Sequence, residues 1–457
     1  MTNLYKLRQI TLLTLFTASV LTLVGCQQEK EIEIFPPVVF KPVAGEIGGG
    51  PINDNLVVTT VEKTTGNVIQ GAKVFVHQGE PMELVAQGET DAEGQVSFAG
   101  EGITGPVTLT ITCNQTISYD TLSFVNINAA RIVAPLDRRK TPDKVETALT
   151  FIGLDILDDK LSISRNEITY PDIELDAGKI PEEPWKTSVN NLPVAFSALA
   201  MDAGGNTTKF GFTVAPDGPI PPETPAMIKL NPISPQNVKI VRGEIENPPA
   251  NLDQPSAGWD PHRHYIFHSF SDAGQAGNVA AGFSNVDVGY GYQAFVVETP
   301  GLETHKLEIS AFNRQDAHGE MTTTYKTFRF DDTPEEFDVS FMNAPKQLQS
   351  DTSADNVYPD LVWYSQNGNF YQIDIFHADY NYRWTLYVAG DDVNRLVIPP
   401  LEPGSEGALI KGEVYRFRVV AWDVPGMDSD NMTFQELRET AAHRARSSLV
   451  RFMVTER

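Results

Sequence analysis

The sequence predicts an all-β chain of serial β-sandwich domains behind an N-terminal leader and a flexible tether. Three observations predict it. Short runs of alternating apolar and polar residues are punctuated throughout by Gly, Pro, Asn and Asp, the pattern of strands and turns. Long helical periodicity is nearly absent. The best helical stretch, FQELRETAAHRARSS at 434–448, reads as a short insertion before the last strand. A motif also recurs at the spacing of one sandwich domain. The chain has 457 residues, too many for one ordinary core, which suggests three or four domains.

The leader comes first. Lys6 and Arg8 form a positive start, and Ile10 to Leu23 is an uncharged apolar run. It is shorter than the ~20 residues of a comfortable membrane span and has signal-peptide shape. LVGCQQ, 23–28, follows. Leu-x-Gly-Cys at its start resembles the lipobox of bacterial lipoproteins. That resemblance implies a signal peptide over 1–25 and a mature chain that begins at an acylated Cys26. Gln27 stands where the family's sorting rule would read Asp as retention at the inner membrane, so the resemblance implies the outer membrane. It leaves the face of that membrane open. Residues 26–50 then read as a lipid-anchored tether, with charges first, Pro36-Pro37 next and Gly48-Gly49-Gly50 last.

Composition narrows the class. The net charge is −25, and loss of Lys6 and Arg8 makes it −27. Such a surface repels phosphates, which argues against nucleic acid as a partner. Apolar content is 41%, ordinary for a globular chain. If Cys26 carries lipid, Cys113 has no intrachain disulfide partner. In TLTITC, 108–113, Cys113 shares a strand face with Leu109 and Ile111, so it reads as a core thiol.

The first module spans about 51–135. Gly66-Asn67 and Glu93-Gly94 mark turns; Val74 and Val76 alternate, as do Val96 and Phe98. The order G-A-x-V-x-V, then T-D-x-x-G-x-V-x-F, resembles the carboxypeptidase regulatory-like, transthyretin-like module. That family implies a small β-sandwich and no catalytic residue.

The remaining chain repeats itself. FSALAMD at 196–202, LEISAFN at 307–313 and FRVVAWD at 417–423 share alternation, Ala at the fifth place and Asp or Asn at the seventh. Ala200, Ala311 and Ala421 are spaced by 111 and 110 residues, close to one sandwich of about 100 residues. Each copy precedes a turn and another strand: TTKFGFTV, TTTYKTFRF and SSLVRFMV. These read as immunoglobulin-like (Ig-like) modules at 136–225, 226–340 and 341–457. RRKTPDK, APDGPIPPETP and DDTPEEF mark the junctions. In the last copy Trp363, the corner Leu401 to Gly404, and Tyr415, Phe417 and Val419 together resemble fibronectin type III. Insertions at SEGALIKGE and in the following loop depart from that family's spacing. Trp363 and Trp422 read as core.

Two stretches carry metal-ligand chemistry. In DPHRHYIFH, 260–268, an extended backbone puts His262, His264 and His268 on one face. His262 and His268 would stand about 20 Å apart, too far for one ion, so His262 with His264 is the pair that could hold zinc or copper. A polar strand edge is the other reading. In DVPGMDSDN, 423–431, Asp423, Asp428, Asp430 and Asn431 offer hard oxygen ligands for structural calcium, or form a solvated acidic loop. LDILDD, 154–159, is a second acidic stretch. Tyr290, Tyr292, Tyr380 and Tyr382 could stack on a sugar or alternate into a core.

The chain has no HExxH, GxSxG, P-loop or dinucleotide fingerprint. The expectation is a noncatalytic, lipid-anchored envelope protein that presents binding or adhesion modules and needs no cofactor. Its membrane contact is the N-terminal lipid, and its further partner is another envelope protein or a polysaccharide. A periplasm-facing assembly component is the alternative. A glycan-acting enzyme ranks last.

Overall fold

A computed structural model describes residues 45–63, 66–115, 117–139, 145–165, 168–169, 173–175, 184–189, 194–204, 207–215, 225–234, 236–247, 265–271, 291–298, 304–312, 320–351, 358–365, 367–377, 382–391, 393–402 and 407–454. Contacts divide the chain into Met1–Val39 and Phe40–Arg457, and every described residue lies in the second unit. The regular elements of the described residues are nearly all β-strands, with one short α-helix and one 3-10 turn.

The first module holds β1 (Glu46–Gly48), β2 (Val57–Glu62), β3 (Lys73–Gln78), β4 (Glu83–Glu89), β5 (Gln95–Ser97), β6 (Val107–Thr112), β7 (Thr121–Ile127) and β8 (Arg131–Leu136). One layer runs β1-β8-β2-β5 and the other β7-β6-β3-β4. Alternation places Val74, Val76, Leu109, Ile111 and Cys113 in the core between them. The expected turn at Glu93-Gly94 is built by Asp91, whose Oδ1 accepts from the amides of Glu93 and Gln95. Gly94 has φ +71°, and a Cβ there would sit 2.9 Å from the Thr60 carbonyl oxygen. The end of the expected tether is itself structured. In β1, Ile47 is buried, and the strand pairs with β8.

The second module holds β9 (Val145–Ile152), β10 (Lys160–Arg165), β11 (Ile168–Thr169), β12 (Ile173–Glu174), β13 (Trp185–Val189), β14 (Val194–Met201), β15 (Thr207–Ala215), β16 (Ala226–Lys229) and β17 (Asn231–Pro232). Its sheets are β13-β9-β16 and β11-β10-β14-β15-β17, with β12 also on β10. Leu149, Phe151, Leu161, Ile163, Phe196 and Ile228 fill the space between them. Because Ile228 belongs to this core and β16 runs parallel to β9, the sandwich continues past the boundary expected at 225.

The third module holds β18 (Val238–Asn247), β19 (Tyr265–Ser271), β20 (Gly291–Val297), β21 (Thr304–Phe312), β22 (Met321–Phe328) and β23 (Val339–Ser340). Its layers are β20-β18-β23 and β19-β21-β22. The fourth holds β24 (Lys346–Asp351), β25 (Asp360–Tyr364), β26 (Phe370–His377), β27 (Arg383–Ala389), β28 (Arg395–Val397), β29 (Val414–Asp423), β30 (Met432–Thr433), α1 (Phe434–Thr440), β31 (His443–Arg446) and β32 (Val450–Met453). The sheet β24-β25-β28 packs on β26, β27 and β29 around Trp363, Tyr371, Ile373, Trp384 and Phe417. The stretch expected to be helical at 434–448 splits: Phe434–Thr440 is α1, while His443–Arg446 is the strand β31, held by pairing with β22 and β29. The N-cap of α1 is Thr433, whose hydroxyl accepts from the Glu436 amide.

The three sequence echoes fall on β14, β21 and β29. The first two pair antiparallel along their length with the later strand read beside them, β15 and β22, whereas the third meets β32 only at Phe417 and pairs with β31 from Val420 to Asp423.

The modules follow one another in sequence, but the first and last do not stand apart. β7 pairs parallel with β27, from Thr121 opposite Trp384 to Val125 opposite Val388. β1 pairs with β30. β31 lies between β22 and β29, so strands of the first, third and fourth modules form one twelve-stranded sheet. The cores merge as well. Trp422, Met432, Phe434 and Leu437 pack into the first module's core, while Phe75 and Val125 pack into the fourth's.

Candidate functional site

Among the described residues, a group of buried polar side chains with defined partners lies along the β7–β27 seam. β26 alternates so that Tyr371, Ile373 and Ile375 face the fourth core. Gln372 and Asp374 share the other face. There Asp374 is fully buried. Its Oδ1 accepts from Arg383 at 2.9 Å, from Thr385 at 3.0 Å and from Gln372 at 2.9 Å. Its Oδ2 accepts from Arg418 at 2.8 Å. Burial by itself would raise this carboxyl, but Arg383 and Arg418 outweigh it and hold it well below the usual carboxylate range. Beside it, Trp384 Nε1–H donates to Ser123 Oγ at 2.8 Å, which ties β27 to β7 through side chains as well as backbone.

The seam continues into a set of shifted groups. Burial pushes the Asp120 carboxyl up to about 6, with Asp137 adding repulsion and Arg383 and Arg139 opposing it. The Tyr382 hydroxyl donates to the Gly407 carbonyl at 2.6 Å. Its ring lies under the Arg139 guanidinium at 5.2 Å and edge-on to Tyr415. His77, buried on β3, donates through Nε2 to the Pro400 carbonyl at 2.9 Å, which fixes the neutral Nε2–H tautomer. Burial lowers its pKa.

These groups are arranged for docking. Every carboxylate oxygen of Asp374 is occupied by a fixed cation or donor, which leaves the group no lone pair directed at a substrate. Sequence reasoning missed Asp374. The signal was a lone charge inside the apolar run FYQIDIF, together with Arg383 and Arg418 in the two neighbouring strands.

The residues singled out from sequence fall as follows. Cys26, His262, His264, Tyr290 and Tyr380 lie outside the described residues. The backbones of His268 and Tyr292 lie in β19 and β20, opposite Leu307 and Gly243. Tyr382 is a seam residue, so its ring is engaged in packing rather than offered to a sugar. Trp363 and Trp422 are in the cores. In the 423–431 loop, Asp428 Oδ1 accepts from the Asp430 amide at 3.1 Å, and the Asp428 carbonyl accepts from the Asn431 amide at 3.2 Å. Asp430 Oδ1 accepts from the Asn128 amide at 3.0 Å, a further link to the first module. Asp423, at the end of β29, accepts through its carbonyl from the Ala442 amide at 2.9 Å. Among the described residues no group of three or more His, Cys, Asp or Glu side chains converges as a metal site.

The other acidic stretch does enclose a cation, and it is a lysine. Lys209 Nζ lies 2.7 Å from Asp155 Oδ2 and 2.6 Å from Asp158 Oδ2. Asp158 is buried, and its Oδ1 accepts from the Thr208 hydroxyl at 2.8 Å.

No family model matches this chain, and no curated protein does. Among solved structures, the chain is similar to the shaft pilin SpaA from Lactobacillus rhamnosus GG. The two share 10% identity over 40% of this chain and 99% of the pilin, with a TM-score of 0.15. It is also similar to a tetra-tandem repeat in the extending region of a large adhesion protein. That match has 10% identity over 87% of this chain and 99% of the other, again with a TM-score of 0.15.

Proposed function

We propose that the chain is a noncatalytic, lipid-anchored protein of the bacterial outer membrane whose β-sandwich modules present binding or adhesion surfaces. Cys26 carries the lipid in this reading. The supporting observation is the use made of the buried polar groups. Asp374, Asp158, His77 and Tyr382 are all engaged in holding sheets and loops together. A body braced in this way displays loops at fixed places, the task of a scaffold that binds. Another envelope protein or a polysaccharide is the class of partner it fits. An acidic chain of net charge −25 does not fit nucleic acid.

The test is protease accessibility of an epitope in the last module, on intact and on lysed cells, with a periplasmic protein as control. Cleavage on intact cells with the control protected supports presentation outward. Protection on intact cells with cleavage after lysis would overturn it and favour a periplasmic assembly role.

A further inference from the structure

The outer face of the fourth module's sheet carries a row of arginines. In β29, alternation sends Tyr415, Phe417 and Val419 into the core and leaves Arg416 and Arg418 on the other face. The strand register sets their neighbours. Arg451 on β32 stands opposite Arg416, Arg416 opposite Phe376 on β26, and Phe376 opposite Arg383 on β27. One line across four strands thus reads Arg451, Arg416, Phe376, Arg383. The next line holds Arg418, Asp374 and Thr385. Together the two lines set four arginines against one carboxylate. The guanidinium carbons of Arg418 and Arg383 lie over the Phe376 ring, 5.1 and 5.8 Å from its centre.

At the β27 end, Arg383 also meets the first module's Asp137, whose Oδ2 lies 4.0 Å from its Nη1. The more cationic side of the row is therefore the β29–β32 side. There two like charges stand directly opposite, an arrangement that ordinarily costs stability. An anion seated between them turns that repulsion into shared attraction. All four cations are arginines, whose planar forks match oxyanions, and a guanidinium has five donors, so an internal partner does not exhaust it. Two residues along the same strands, Val414 and Met453 are again directly opposite, and both are exposed. They share the arginines' face and lie about 7 Å from the Arg416–Arg451 pair.

We infer that this face binds an acidic polysaccharide, with its oxyanions held by Arg416 and Arg451 and the C–H faces of its sugar rings against Val414 and Met453. The arginine line crosses three strand spacings, about 14 Å, which suits a polymer rather than a single small anion. The exposed apolar pair beside the cations suits sugar rings, which carry C–H faces as well as charge. Nucleic acid fits less well, because the aromatic ring in the row is engaged by two guanidiniums rather than offered to a base. The inference deepens the polysaccharide reading proposed above and rests on it.

The experiment uses residues 26–457 with Cys26→Ser, which retains every described residue and carries no lipid. It is titrated calorimetrically with polygalacturonate, dextran sulfate, neutral dextran and a single-stranded oligothymidylate. A chain of net charge −25 has no overall attraction to a polyanion, so binding reports a local site. The unsubstituted face is expected to bind polygalacturonate or dextran sulfate, the two arms telling carboxylate from sulfate, and to ignore dextran. Arg451→Gln, at an exposed position of β32, is expected to weaken binding about tenfold through loss of one charged fork. Adding Arg416→Gln is expected to weaken it further. Lys73→Gln, at an exposed position of β3, removes the same charge and is expected to change nothing. Circular dichroism confirms that each variant is folded, and the Arg451 substitution alone decides the matter if the double variant is not. No binding to either acidic polymer overturns the inference. So does equal binding to dextran, binding that Arg451→Gln leaves unchanged, or tighter binding to oligothymidylate. Protease protection of the body on intact cells would overturn outward presentation without altering this titration, so the two failures are told apart.

Discussion

Asp374 is the residue on which the fourth module's outer face depends. Its neighbours Arg383 and Arg418 both take their partner from it. Asp374→Ala would strand two partly buried guanidiniums, so urea unfolding should show a loss of about 3–5 kcal/mol. Its carboxyl is depressed below the ordinary 3.8. Its contribution is therefore full above pH 3.8 and fades only as pH falls further. Asp120 behaves oppositely. Its folded value is raised from 3.8 to about 6, so what it contributes is complete below 3.8 and lost as pH rises through 6. Asp120→Asn should consequently raise the melting temperature at pH 8 and change it little at pH 4. A larger gain at pH 4 would contradict this. Sequence reasoning reached the apolar residues of these strands: Tyr415, Phe417, Val419, Trp363 and Cys113 are buried where alternation put them. It did not reach Asp374, because an acidic residue in a strand is ordinarily assigned to water.

Among the elements, β27 does two jobs. One edge pairs with β26 inside its own module and the other with β7, over 250 residues earlier in the chain. Trp384 on β27 is buried and bonded to Ser123. Trp384→Ala should cost about 3–5 kcal/mol. Hydrogen exchange should quicken in β7 as well as in β27. Faster exchange in β27 alone would show that the seam is not shared. The strands themselves were legible, including the three echoes that became β14, β21 and β29. Their partners across modules were not, since alternation reveals a strand and its buried face but not which edge it meets. The same limit explains β16: a proline-rich segment precedes it, yet Ile228 carries it back into the second core.

For the whole molecule, shared cores make the modules unequal. The first module's core is completed by Trp422, Phe434 and Leu437 from the far end of the chain. The second closes its own core from residues 149–230. Excised alone, residues 45–139 should be readily digested by protease, whereas residues 145–233 should resist. Equal resistance would mean that the interlock adds nothing. The lipid proposed at Cys26 would decide where the body works. The most direct measurement is metabolic labelling with palmitate followed by membrane fractionation of wild type and Cys26→Ser. Label is expected on the wild type in the outer-membrane fraction and none on the variant. An unlabelled wild type, or label that survives Cys26→Ser, would contradict it.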